Sequence, residues 1–100
     1  MLSSKTRAAL RAEAHHLSVT VHVGHQGITD AVLQSLEDAL RTRELVKVQF
    51  SRNDEAKVKD SANDLARSAG ADVVQVIGRT ATLYRQNPEL KEGEQKANRD

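Results

Sequence analysis

Val19-Thr20-Val21-His22-Val23-Gly24-His25-Gln26-Gly27-Ile28-Thr29-Asp30 is the stretch on which the fold turns. Its first five residues alternate, with Val19, Val21 and Val23 on one side and Thr20 and His22 on the other, the period of a half-buried strand. Two glycines then break the pattern. Thr29 stands where a helix N-cap is wanted, ahead of an apolar stripe of Val32, Leu33, Leu36, Ala39 and Leu40. The stretch predicts a strand, a glycine turn and a helix that fades near Arg43.

Downstream, Leu45 to Phe50 sets Val46, Val48 and Phe50 against Lys47 and Gln49, a second strand. Asn53 or Asp54 can cap a third helix that turns Val58, Ala62, Leu65, Ala66 and Ala69 inward, and Gly70 supplies its left-handed end. Asp72 to Ile77 and Ala81 to Arg85 read as strands three and four, joined through Gly78-Arg79-Thr80 as a hairpin. Upstream, Ser3 and Ser4 lead into a helix from Lys5 to His16 with Leu10, Ala14 and Leu17 on one face. The order is α-β-α-β-α-β-β. Both crossover helices belong on one side of the sheet if the strands progress in one direction, which predicts a two-layer α/β sandwich with a four-stranded mixed sheet. Residues 1–86 make the domain. Residues 87–100, with Leu90 as their one sizeable apolar side chain, read as a solvated, disordered tail.

A chain of 100 residues has room for one core. Only Phe50 and Tyr84 are aromatic, which excludes modules that bind nucleic acid mainly by stacking bases on exposed rings. No cysteine is present, so disulfides, thiolate nucleophiles and cysteine-bound zinc are ruled out. No signal-like run opens the chain and no segment approaches the roughly 20 apolar residues of a membrane span, so a cytoplasmic location is expected.

Fifteen Lys and Arg against fourteen Asp and Glu leave a net charge of +1, but the charges are unevenly placed. Lys5, Arg7, Arg11 and His15 share the first helix with one acid, Glu13, while Glu37, Asp38, Asp54, Glu55, Asp60 and Asp64 lie on the later helices. Arg79 sits at the hairpin turn and Arg85 at the end of the fourth strand. If the fold gathers these cations, the surface is dipolar and one side suits phosphate.

The Gly24-His25-Gln26-Gly27 turn has its own chemistry. Glycines let a phosphate backbone approach without a Cβ in the way, a helix N-terminus offers N–H groups, and His25 and Gln26 point outward as donors. The GXXG loop of the KH domain clamps nucleotides by the same logic. No Gly-Lys-Ser/Thr follows, and a third glycine is missing, so neither a P-loop nor a dinucleotide fingerprint is present. The four histidines lack partners for a metal site: His15 and His16 are adjacent on a helix, with His16 expected to pack at its end, and His22 and His25 straddle a strand end. Ser3, Ser4 and Ser18 read as capping and turn residues. No enzyme, cofactor or small-molecule substrate is expected.

Five ordered blocks together resemble the CRM domain, named for chloroplast RNA splicing and ribosome maturation, in its bacterial stand-alone YhbY-type form. They are Lys5-x-Arg7-x-x-Leu10-Arg11, Ala14-His15-His16-Leu17, Val23-Gly24-x-x-Gly27-Ile28-Thr29, Arg43-Glu44-Leu45-Val46-Lys47-Val48, and Val76-Ile77-Gly78-Arg79-Thr80 with Leu83-Tyr84-Arg85. The resemblance implies a fold similar to the C-terminal domain of translation initiation factor three. It also implies association, through ribosomal RNA, with precursors of the large ribosomal subunit; a monomer is expected. The RNA-contacting set it implies is the loop Gly24, His25, Gln26 and Gly27 with Lys5, Arg7 and Arg11 of the basic helix, to which the charge placement adds His15, Arg79 and Arg85. Two departures stand out: His25 where members commonly carry lysine, and Val19 where they carry proline. Histidine is largely uncharged near pH 7, so the loop lacks a fixed cation. From the residues alone, a protein-interaction adaptor that docks a ribosomal protein or assembly factor through its sheet or acidic helices stays open beside the RNA reading.

Overall fold

The computed structural model describes residues 2–51 and 55–87, with the backbone alone described at Glu55. The elements follow the expected order: α1 (Ser4–Ala14), β1 (Val19–Val23), α2 (Asp30–Thr42), β2 (Leu45–Phe50), α3 (Glu55–Ala69), β3 (Asp72–Ile77) and β4 (Thr80–Tyr84). The caps explain most boundaries. Ser3 and Thr29 accept the amides of Thr6 at 3.1 Å and Val32 at 3.2 Å. Gly70 ends α3 with φ +66°, and the bonds Ala71 N to Ala66 O (2.8 Å) and Gly70 N to Arg67 O (3.3 Å) complete a Schellman motif. The expected cap of α3 at Asn53 or Asp54 falls outside the described residues.

The sheet runs β1-β2-β4-β3, mixed and four-stranded. β1 pairs parallel with β2, while β4 is antiparallel to both β2 and β3. The last strand therefore fills the slot between β2 and β3. The hairpin turn is two residues, Gly78 and Arg79, and of these only Gly78 has positive φ, the sign pattern of a type II′ turn.

Both crossover helices lie on one face, as expected. Leu36 and Leu40 of α2 and Val58, Ala62 and Leu65 of α3 are fully buried against Val48, Phe50 and Leu83 of the sheet. The first helix lies on the opposite face. Leu10 and Ala14 pack on Leu45, Val74 and Tyr84, the alternate residues of the same strands, with Leu2 and Leu17 at the edge. A partial third layer thus covers one end of the sheet and leaves the other end of that face bare.

Two local irregularities correct the simple alternation. On β1 the register shifts between Val19 and Val21, so Val19 pairs with Lys47 and faces away from the α2–α3 core instead of joining Val21 and Val23. On β3 a shift between Val73 and Gln75 turns Val74 toward α1. His16 is exposed rather than packed at the helix end, where Leu17 takes that place.

The chain after β4 is tied back to the α2–β2 junction. Glu44 is fully buried; its carbonyl accepts from Arg85 N at 2.9 Å and its carboxylate from Asn87 N at 2.7 Å. The Asn87 side chain donates to Arg41 O at 2.8 Å. Asn87, assigned to the tail from sequence, is therefore anchored, and residues 88–100 fall outside the described residues.

Candidate functional site

At the C-terminal ends of the parallel strands three connections meet. The Gly27 amide donates to Gly24 O at 3.0 Å and closes a four-residue turn with His25 and Gln26 exposed at its tip. Gly27 has φ +79°, which favours glycine. Gly24 has no such constraint, and a Cβ there would meet nothing within 4 Å.

Ser51 clips the neighbouring strand end in place, its amide (3.0 Å) and its hydroxyl (2.9 Å) both donating to Val23 O. The Phe50 amide donates to Arg79 O at 2.8 Å, which draws the hairpin turn to the end of β2. These bonds enclose a hollow of about 240 Å³ lined by His22, Gly24, Gln49, Ser51 and Arg79 together with Val23 and Phe50. Arg79 and the glycine turn, distant in sequence, become neighbours.

A second hollow of about 240 Å³ lies on the bare part of the sheet, lined by His15 from the end of α1, Val19, Lys47, Gln75, Ile77, Thr80 and Thr82. Lys47 reaches along it to donate to Leu17 O at 3.4 Å. Neither lining contains an acid. A third hollow, on the α2–α3 side, has Asp30 and Glu37 in its lining.

The expected site residues meet different fates. Lys5 and Arg11 are exposed on α1, and His15 borders the second hollow. Arg7 is half-buried, and its Nη1 donates to the carbonyls of Val73 at 2.6 Å and Val74 at 3.0 Å. These carbonyls lie at the irregularity of an edge strand, so the guanidinium holds α1 to β3 rather than standing free for a ligand. Arg85 departs further from its expected role. Its two terminal nitrogens each donate to a Glu37 oxygen at 2.9 Å, and Nη1 also reaches Ala69 O at 3.0 Å. That fork lies on the α2–α3 side, across the sheet from α1. Hydrogen bonding from Arg85 holds the Glu37 carboxyl below its usual range, outweighing desolvation, with Arg41 adding to the effect at 3.5 Å. Glu37 in turn raises the Arg85 pKa.

The glycine turn differs from a ready phosphate cradle at the α2 N-terminus. The Gly27 amide is spent inside the turn, Thr29 Oγ1 takes the Val32 amide, and Asp30 sets a carboxylate in the first helical turn. What the turn presents outward is its tip, His25 and Gln26, with the Gly24 backbone beside Arg79.

Sequence reasoning passed over His22, Lys47, Gln49, Ser51, Thr80 and Thr82 as site residues. Part of the signal was there: in period two, His22, Lys47 and Gln49 fall opposite the apolar set, and the register pairs His22 with Gln49. Among the described residues no group of three His, Cys, Asp or Glu could hold a metal ion, and no helix is long and apolar enough to cross a membrane.

Fold and site together define a small α/β module whose sheet carries an acid-free end beside a glycine turn. The chain belongs to the CRS1 / YhbY (CRM) domain family, whose model matches residues 2–85. It is 37% identical over 92 residues to the Probable RNA-binding protein YqeI of Bacillus subtilis, covering 92% of this chain and 96% of that one. It is 38% identical over 90 residues to an RNA-binding protein of Haemophilus influenzae, covering 90% and 91%. The solution structure of the hypothetical protein SAV1595 from Staphylococcus aureus superposes with a TM-score of 0.82 at 34% identity, over 92% of this chain and 96% of that one.

Proposed function

We propose that this chain binds structured ribosomal RNA through its sugar–phosphate backbone and acts in assembly of the large ribosomal subunit, as a cytoplasmic monomer without catalytic activity. One observation carries the reading: the Gly24 turn, Arg79 and the polar residues His22, Gln49 and Ser51 converge at an acid-free end of the sheet. Family membership and relatives named as RNA-binding proteins support RNA as the partner. With two aromatic residues in the chain, and Phe50 and Tyr84 both buried, contact must be to backbone rather than to stacked bases. The exposed tip of the turn, Arg79, and Lys5 and Arg11 on α1 supply donors and charge. Crosslinking in cells followed by sequencing of the attached RNA tests this. Enrichment of large-subunit ribosomal RNA is expected, and a protein that stays with its partner particle after nuclease digestion without crosslinking to RNA is an adaptor instead.

A further inference from the structure

Resting on the RNA-binding reading above, we infer that the bare half of the sheet distinguishes RNA from DNA, with Thr80 and Thr82 hydrogen-bonding ribose 2′-hydroxyls. The two hollows are neighbours on one face, because Gln49 of the first stands opposite Thr80 of the second across the β2–β4 pair, and Lys47 stands opposite Thr82. They form a continuous surface of mixed polarity reaching from the glycine turn to the end of α1.

Lys47 and Ser51 on this surface already donate to Leu17 O and Val23 O, but four other polar side chains are unspent. On the α2–α3 side Arg85 and Arg41 pair with Glu37, Gln34 with Asp38, and Arg67 with Asp64. On the bare face Gln49, Gln75, Thr80 and Thr82 make no side-chain hydrogen bond among the described residues. Thr82 is the sharpest case. It is 1% exposed and lines the floor of the second hollow, so what surface it keeps opens there.

A hydroxyl both donates and accepts, as a ribose 2′-hydroxyl does, so the two are matched in either orientation. The wide, shallow minor groove of an A-form helix displays those hydroxyls to a broad surface, whereas B-DNA has none to offer. Lys47 and His15 at the rim lie where flanking phosphates would pass. Ile77, 63% exposed and the one large apolar side chain standing out among the described residues, lines the same hollow.

The test uses the full chain with a 16-base-pair RNA hairpin and a DNA hairpin of the same sequence as probes, read by fluorescence anisotropy. The unmodified chain should favour the RNA. Thr80→Val with Thr82→Val should weaken RNA binding about tenfold, the loss expected for two hydrogen bonds, and leave DNA binding within about twofold. Thr80→Val with Gln75→Ala, both confined to the second hollow, provides a second route should the threonine pair fail to fold by circular dichroism, with the same direction expected. If folded variants keep the full RNA preference while Gly24→Glu weakens both probes, the sheet-face assignment is overturned and the loop reading stands. Equal affinity of the unmodified chain for the two hairpins overturns the 2′-hydroxyl assignment, and no binding to RNA overturns both readings.

Discussion

The carbonyl of Arg79 accepts a hydrogen bond from the Phe50 amide at 2.8 Å, so the backbone of the hairpin turn is fastened to the end of β2 while the guanidinium stays exposed. Backbone and side chain are separable at this residue. Arg79→Ala should keep the thermal stability of the fold and reduce the salt dependence of RNA binding, its slope falling by roughly 0.7 to 0.9 for one lost phosphate contact. Binding measured across a salt series checks this, and an unchanged slope would remove Arg79 from the interface.

Arg7 and Arg11 lie four apart on α1 and should part company. Arg7→Ala strips the charged donor from the Val73 and Val74 carbonyls and should cost about 1–3 kcal/mol of stability. Arg11→Ala, on the exposed face, should change stability by less than about 0.5 kcal/mol and act on RNA affinity alone. Urea denaturation beside a binding assay separates the two.

The two glycines of the turn also differ. Gly27→Ala places a Cβ at φ +79° and should cost about 1–2 kcal/mol from backbone strain. Gly24→Ala has open space and no positive φ, so it should be neutral for folding, and Gly24→Glu should weaken RNA binding in a chain with native stability. Loss of affinity without loss of fold at position 24 is the cleaner probe of backbone approach.

The Arg85–Glu37 fork gives a pH dependence. Because the folded state lowers the Glu37 pKa below its ordinary 4.5, the pair contributes stability that is present above that value and is lost as pH falls through the lower, folded one. Glu37→Gln should therefore show a shallower loss of stability below about pH 4.5 than the unmodified chain. Glu37 is 36% exposed, so solvent screening keeps the effect modest. Thermal melts at several pH values, with and without the substitution, would show it.

Element order, the N-caps of α1 and α2, the hairpin and the inward residues of α2 and α3 were legible because each rests on local chemistry: side-chain period, a hydroxyl at an N-cap, a glycine where φ must be positive. The inward place assigned to Val19 failed because one extra residue in a strand flips the face, and a bulge has no periodic signature. The basic residues were visible but not their employment. Arg7 and Arg85 look like Arg11 and Arg79 in sequence, yet Arg7 meets edge-strand carbonyls and Arg85 a carboxylate 48 positions away.

The sequence by itself determined the strands, the helices and the glycine turn, since all of these follow from neighbours along the chain. Only the tertiary structure decided that α1 crosses to the far face, that β4 slots between β2 and β3, and that Arg79 comes beside Gly24 while Arg85 turns away. Those outcomes depend on long-range pairing across the sheet, where the partner that satisfies a carbonyl or a charge is chosen by distance in space.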